Sequence, residues 1–350
     1  MKKLFVLLTT ILGILSCNND EILQQQIQQI NTKKIYIAGY EKNPISDDLD
    51  QAKFWVNGVE NLLTNGEKAS KAYGITTISS TTGTQVLVAG FEYENNVMRA
   101  RIWRDKIALT IDTSGGESSA TGICTIGDDY YACGTQQNAS GTQAVFWKNG
   151  IRTFLTTQYG YAAASAITVI NNDVYVCGYL IENNYKRAVY WKNNGNEEVS
   201  LSTSPLSPAN VTAVAIVVKN NKVYVGGNFK SIYDFTLPTG VIWVDGVLTD
   251  LYIQDTVLTS IAVDNTGSIY HAGSKIRNGN PVAAIWKDKI EQPFETTSVN
   301  SRIDALFLTD SNFYKAGFSD GVKASYWQAT NVRRVLDSKV SYATAIWTNE

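Results

Sequence analysis

The chain has 350 residues, with 30 Lys and Arg against 32 Asp and Glu, a formal charge of −2, one histidine and four cysteines. That balance, without a concentrated run of either sign, excludes the basic patch that nucleic acid or an anionic membrane surface needs. A single histidine excludes His-rich metal centres and leaves few routes to histidine base catalysis, so neither metal nor cofactor is expected.

The first seventeen residues read as an export signal: Lys2 and Lys3, an apolar run from Leu4 to Leu15, then the small Ser16. The run is short for a membrane span, and no later segment is long enough to be one. Ile14-Leu15-Ser16-Cys17 resembles a bacterial lipobox, and the alternative is an ordinary cleaved signal beside a chance cysteine. The resemblance implies a signal peptide over 1–16 and a lipid on Cys17. Asn18 in the next position implies outer-membrane sorting in the cell envelope, with the lipid as the only membrane attachment. Residues 17–33, glutamine-rich and without aromatics, read as a polar tether, leaving 34–350 as the folded domain.

From Ile35 onward the chain repeats. Glycines 39, 90, 134, 178, 227, 273 and 317 each end an alternating segment, and each is followed by one of Trp55, Trp103, Trp147, Trp191, Trp243, Trp286 and Trp327. A period of roughly 40 to 50 residues marks a radial or stacked repeat. Each unit offers four β segments. The first two are joined by a polar turn such as Asp128-Asp129 or Asn172-Asp173, and the last two by Asn57-Gly58, Asn149-Gly150 or Asp245-Gly246, suited to type I′ hairpins. The chain opens on a second segment, Ile35 to Gly39, and ends on an isolated first segment, Ala343 to Trp347. That circular offset predicts an all-β, seven-bladed propeller of four-stranded blades, closed by the C-terminal strand pairing into the N-terminal blade.

Packing explains the recurring residues. Small side chains (Thr77, Gly122, Ala166, Ala213, Ser260, Ala305, Ala345) are expected where blades converge, while Tyr36, Tyr131, Tyr175, Tyr224, Tyr270, Tyr314 and the Trp series fill the wedge farther out. The Ala-x-x-Trp and Asn-Gly grammar, clearest at Ala144 to Gly150 and Ala188 to Gly195, resembles the HAF-type extracellular repeats of bacteria and, more broadly, WD-like propellers. The resemblance implies secretion and repeat structure and supplies no catalytic residue. Gln51, Arg99, Gln143, Arg187, Thr239, Val282 and Lys323 stand where that family has His.

Candidates for chemistry are few. His271 and Lys315 replace apolar residues of the second segment and must find partners there. Thr76, Thr121, Ser165, Thr212, Thr259 and Thr344 form a recurring hydroxyl series that suits hydrogen bonding between inner strands, and Asp304 is its one carboxylate. With a turn at Asp128-Asp129, Cys124 and Cys133 lie opposite one another, as either a cross-strand disulfide or two buried thiols, with Cys177 free. Asp47, Asp48 and Asp50 lack the glycine that turns a calcium loop. No phosphate loop or nucleophile elbow occurs, and no catalytic residue is assigned.

Individuality is expected on the face carrying the loops between second and third and between fourth and first segments. Tyr159, Tyr161, Tyr179, Tyr185, Arg187, Phe229, Tyr233, Asp234, Phe235, Tyr252 and Arg277 fall there and are the candidate ligand-binding residues, with Lys186 beside them. The favoured expectation is a non-catalytic, membrane-anchored envelope module or scaffold that binds an envelope protein or glycan. The alternatives are a glycan-binding lipoprotein of polysaccharide capture and a carbohydrate-active hydrolase or lyase, the last requiring Asp, Glu, Arg and Tyr to converge at the axis. A closed ring satisfies its own edges, so a monomer is expected.

Overall fold

In six blades an inner strand opens the sheet and hairpins outward, and in the first the inner strand comes from the far end of the chain. The computed structural model describes residues 33–43, 49–80, 83–111, 113–156, 160–193, 195–201, 209–231, 238–294, 299–310, 312–328 and 332–349. The expected signal, Cys17, the tether, Asp47 and Asp48 lie outside them. Ile35–Thr348 makes one unit, and the remaining described residues, at 33, 34 and 349, belong to no strand.

The first sheet comprises β1 (Ile35–Glu41), β2 (Gln51–Val56) and β3 (Val59–Leu62), joined by the last strand of the chain. The second is β4 (Ser70–Ser80), β5 (Gly83–Glu94), β6 (Val97–Arg104) and β7 (Ile107–Ala108). The third is β8 (Ser118–Ile126), β9 (Asp129–Asn138), β10 (Gly141–Lys148) and β11 (Ile151–Phe154). The fourth is β12 (Tyr161–Ile170), β13 (Asp173–Glu182), β14 (Tyr185–Lys192) and β15 (Glu197–Ser200). The fifth is β16 (Ala209–Lys219), β17 (Lys222–Ser231), β18 (Thr239–Val244) and β19 (Val247–Ile253). The sixth is β20 (Thr256–Val263), β21 (Ile269–Arg277), β22 (Asn280–Lys287) and β23 (Ile290–Glu291). The seventh is β24 (Arg302–Leu308), β25 (Phe313–Ser319), β26 (Lys323–Trp327) and β27 (Arg333–Val335). Finally β28 (Ser341–Thr348) pairs antiparallel with β1, so the expected seven-bladed ring is closed by the two ends of the chain. Each inner strand touches the next around the axis, β28 with β4 included.

The core is divided into seven hydrophobic clusters, one between each pair of adjacent blades. Second-strand Tyr and third-strand Trp of one blade face opposite neighbours, so one interface receives Tyr131 with Trp191 and the next Tyr175 with Trp243. All seven Trp are at most 2% exposed, which fits a structural role in every blade.

One backbone device recurs and is absent from the sequence-based reading. Each inner strand carries a register shift opposite the conserved glycine, as between Ala120 and Gly122 or Ala164 and Ala166, so that one extra residue bulges out. The carbonyl before the bulge crowds the glycine: a Cβ on Gly90 would overlap Lys71 O, and one on Gly134 would overlap Ser119 O. The bulge corrects two series. The small residue next to the neighbouring blade is Gly74 rather than Thr77 in the second blade, and Ala215 rather than Ala213 in the fifth. The bulged residues are Tyr73, Thr121, Ser165, Val214, Thr259, Asp304 and Thr344, so Thr76 and Thr212 do not belong to that series.

The inner turns also sit one residue earlier than expected, at Gly127-Asp128 and Asn171-Asn172. Both asparagines take left-handed φ, 50° and 66°, as a type I′ turn requires. Cys124 therefore faces Tyr131 and Cys133 faces Gly122, not each other, and Cys124, Cys133 and Cys177 are free thiols. Burial pushes the Cys133 thiol up to about 12, the range of an inert core cysteine.

Two hydrogen-bond systems join blades. The bulged hydroxyls of Thr121, Thr259 and Thr344 lie 2.9, 2.5 and 2.8 Å from Ala164 O, Ile303 O and Ala72 O of the next blade. In addition, the backbone N–H of Ala52, Ala100, Ala283 and Ala324, the Ala of Ala-x-x-Trp, donates to Ser70, Ser118, Ser301 and Ser341 of the following blade at 2.9–3.1 Å. Blade one adds a buried cluster in which Lys53 Nζ, with a fully buried side chain, meets Glu41, Glu60 at 2.7 Å and Asp337 at 3.2 Å. Asp337 lies in the segment leading into β28, so the cation holds the closing strand's approach. Lys53→Met is expected to destabilise the protein by about 3–5 kcal/mol, because it removes the cation that the buried Asp337 carboxylate faces and leaves Glu41 with Lys339 alone. Urea unfolding would show this as a lower midpoint at unchanged slope.

Candidate functional site

Aligned by the bulge, the inner strands form two rings near the loop-bearing face. In blades three to six the residue before the glycine-facing position is small, Ser119, Ala163, Thr212 and Val257, but in blades seven, one and two it is Arg302, Tyr342 and Lys71. The bulge ring departs from hydroxyl at Asp304 in blade seven and Tyr73 in blade two, and once elsewhere, at Val214 in blade five. Three consecutive blades thus abandon the first ring at the axial mouth.

The side chains there form a connected set. Tyr40, at the end of β1, stacks on Tyr342 of β28 with centroids 4.8 Å apart and planes 23° from parallel. Phe318 meets Tyr342 edge-on at 5.1 Å, and the Arg302 guanidinium lies over Phe318 at 5.3 Å. Lys71 Nζ sits 4.6 Å over the Tyr40 ring and 3.0 Å from Asp50 Oδ2, while Arg302 Nε donates to Asp304 Oδ1 at 2.6 Å. Tyr40, Tyr73, Tyr342 and Phe318 are all half-buried, so their rings remain reachable.

Electrostatics define what this set offers. Burial, reinforced by Tyr342, Tyr73, Asp50 and Asp304, pushes the Tyr40 phenol well above its usual range, and burial with Asp50 pushes Tyr73 to about 12. Both phenols are neutral hydrogen-bonding groups at ordinary pH, not phenolate bases. Burial also raises the Asp304 carboxyl to about 6 against the pull of Arg302. Its Oδ2, like Oδ1 of Asp50, is buried with no hydrogen-bond partner. The other oxygen of each carboxylate is paired with a cation, so the mouth carries two positive and two negative groups. Among the described residues no cluster of His, Cys, Asp and Glu could hold a metal ion.

The sequence-predicted residues are distributed differently. Tyr161 and Tyr179 stack at 6.1 Å with Lys186 over Tyr179 at 4.4 Å on the face of blade four turned toward blade five, whereas Arg187 binds Glu182 and Glu198 on the face turned toward blade three. Tyr185 is exposed at the start of β14, Phe229 packs into the interblade core, and Arg277 pairs with Glu291 in blade six. Tyr159, Tyr233, Asp234 and Phe235 lie outside the described residues, as does the side chain of Tyr252. His271 is a satisfied structural group, its Nε2 2.5 Å from Asp288 O and its ring stacked on Trp286, and burial lowers its pKa. Lys315 Nζ donates to Gln328 O at 3.3 Å, and burial brings it down to about 8.

A closed propeller with an asymmetric aromatic mouth is the class of protein that fold and site define. No protein-family model matches the sequence, and no curated protein matches it. Among solved structures it is similar to TolB from Acinetobacter baumannii, at 10% identity, covering 93% of this chain and 69% of that one, with a TM-score of 0.47. It is also similar to the polysaccharide lyase Uly1, at 11% identity, 86% and 88% coverage and a TM-score of 0.49. At such identities the likeness concerns the fold alone.

The Asp304 carboxyl gives a signed pH dependence. Because its folded pKa is raised from 3.8 to about 6, the stability it contributes is full below the unfolded value and is lost as pH climbs through about 6. Asp304→Asn should therefore stabilise the protein at pH 7 by about 1–3 kcal/mol and converge with the parent near pH 4. Thermal unfolding across that range measures it; a variant less stable than the parent at pH 7 would contradict the assigned burial.

Proposed function

We propose that this propeller is a non-catalytic cell-envelope binding protein that takes a glycan at its axial mouth, tethered through a lipid on Cys17. The observation that carries the reading is the half-buried Tyr40–Tyr342 stack, set among three consecutive blades that replace small inner-strand residues with large ones. An aromatic face buries the C–H surface of a sugar while phenol hydroxyls and ion-paired carboxylates bond its hydroxyl groups. The charges at the mouth cancel, which suits a neutral polyhydroxylated ligand better than a strongly anionic one. The commitment of Asp50 and Asp304 to cations favours holding a ligand over cleaving it.

A glycan array followed by calorimetric titration of the mature chain tests this. Tyr40→Ala and Tyr342→Ala should each weaken binding at least about tenfold, roughly 1.4 kcal/mol or more. Failure of every glycan to bind, or undiminished binding by both variants, would reject the reading. Cys17→Ser is expected to shift the protein from the membrane to the soluble fraction of cells, and unchanged membrane retention would sink the lipid tether.

A further inference from the structure

Before Ala-x-x-Trp, blades one and two place a donor bonded to the connection after the fourth strand, and blade three reverses that polarity. In blade one Gln51 Nε2 donates to Thr64 O at 2.6 Å, and in blade two Arg99 Nη1 donates to Thr113 O and Gly116 O at 3.0 and 2.9 Å. Both spend their N–H groups on the connection that follows the fourth strand. In blade three the residue is Gln143, and its amide is turned round: Oε1 accepts from Thr156 Oγ1 at 2.7 Å. Its Nε2 has no partner among the described residues, although the side chain is 2% exposed. A buried amide N–H left unbonded is costly and calls for an acceptor from outside the protein.

That amide lines a cavity of about 370 Å³ between blades three and four, within the roughly 300–1,000 Å³ range of small-molecule sites. Arg187, Glu182 and Glu198 form one wall, and the backbone from Gly160 to Ala162 borders the cavity. Arg187 is bidentate to Glu182 at 2.8 Å and also bonds Glu198 at 2.9 Å, so its guanidinium is occupied. Two carboxylates against one guanidinium leave the lining negative, which disfavours an anion. A hydroxyl group fits both sides, accepting from Gln143 and donating to a carboxylate.

We propose that this cavity is a second binding site, selective for a neutral hydroxyl-bearing ring, a single sugar residue or similar polyol, with a ligand oxygen on Gln143 Nε2. It shares no residue with the axial mouth and stands without the function proposed there.

Crystals of the mature protein soaked in glucose, xylose or cellobiose should show a ring in this cavity with an oxygen against Gln143. Binding of the same sugars measured in solution should fall at least about tenfold in Gln143→Leu, the loss expected for a buried hydrogen bond. Because a buried substitution can disturb folding, Glu182→Gln, at a half-exposed carboxylate of the lining, should weaken the same binding with an unchanged melting temperature. Tyr40→Ala should leave it intact, which separates this site from the axial one. A cavity that stays empty of all three sugars, or sugar binding unaffected by both Gln143→Leu and Glu182→Gln, overturns the proposal.

Discussion

The structure depends on one close approach, that of a bulged inner-strand carbonyl to a glycine of the second strand. Because the carbonyl before each bulge occupies the space of a side chain, only glycine can face it, which accounts for Gly39 through Gly317 in all seven blades. The extra residue that the bulge ejects is delivered sideways toward the next blade. Thr121, Thr259 and Thr344 use that placement to bond a neighbouring carbonyl. Glycine, bulge and interblade hydrogen bond are therefore one device, and it aligns the inner strands around a shared axis.

What repeats was legible in the sequence. The glycine and tryptophan series, the outer Asn-Gly turns and the circular offset were enough to count blades and place the closing strand, because a residue serving every interface must recur at every interface. The bulge was not legible, since one extra residue leaves alternation looking intact on either side of it. Its omission displaced the hydroxyl and small-residue series in blades two and five, while the misplaced turn alone set Cys124 opposite Cys133. It also hid Tyr73, whose place in the ring was given to Thr76. Unrepeated interactions such as the Lys53 cluster have no periodic trace at all, whereas the Ala-to-Ser bonds do leave one: Ala52 and Ser70, Ala100 and Ser118, and Ala283 and Ser301 are all eighteen residues apart.

The loop-face candidates were chosen because aromatics and arginine favour exposed interfaces, a rule about composition rather than position. The structure gathers some of them in one interblade groove and uses others for packing or ion pairing. The residues at the axial mouth sit instead on the ends of strands, where bulge geometry fixes their backbone. Strand-borne side chains are better pre-organised than loop-borne ones, so a ligand meeting Tyr40 and Tyr342 would lose less in ordering them. In a repeat protein the informative comparison is internal: where most blades share one kind of residue, a blade that departs from it marks a residue freed from the common structural task. Lys71, Arg302 and Tyr342 are found by that comparison.

The same sector also contains the seam of the ring. Tyr40 belongs to the first strand of the chain and Tyr342 to the last, and their stack exists only once β28 has paired with β1. Arg302 and Asp304 approach from blade seven on one side of the seam, Lys71 and Tyr73 from blade two on the other, while Lys53 and Asp337 brace the path into the closing strand. Assembly of the mouth and closure of the propeller are thus a single structural event. Anything that binds across the two tyrosines binds the closed ring and not the open chain, so by mass action it must favour closure. Placing the least repetitive residues at the seam joins the weakest topological point of the fold to the surface on which a ligand would add stability.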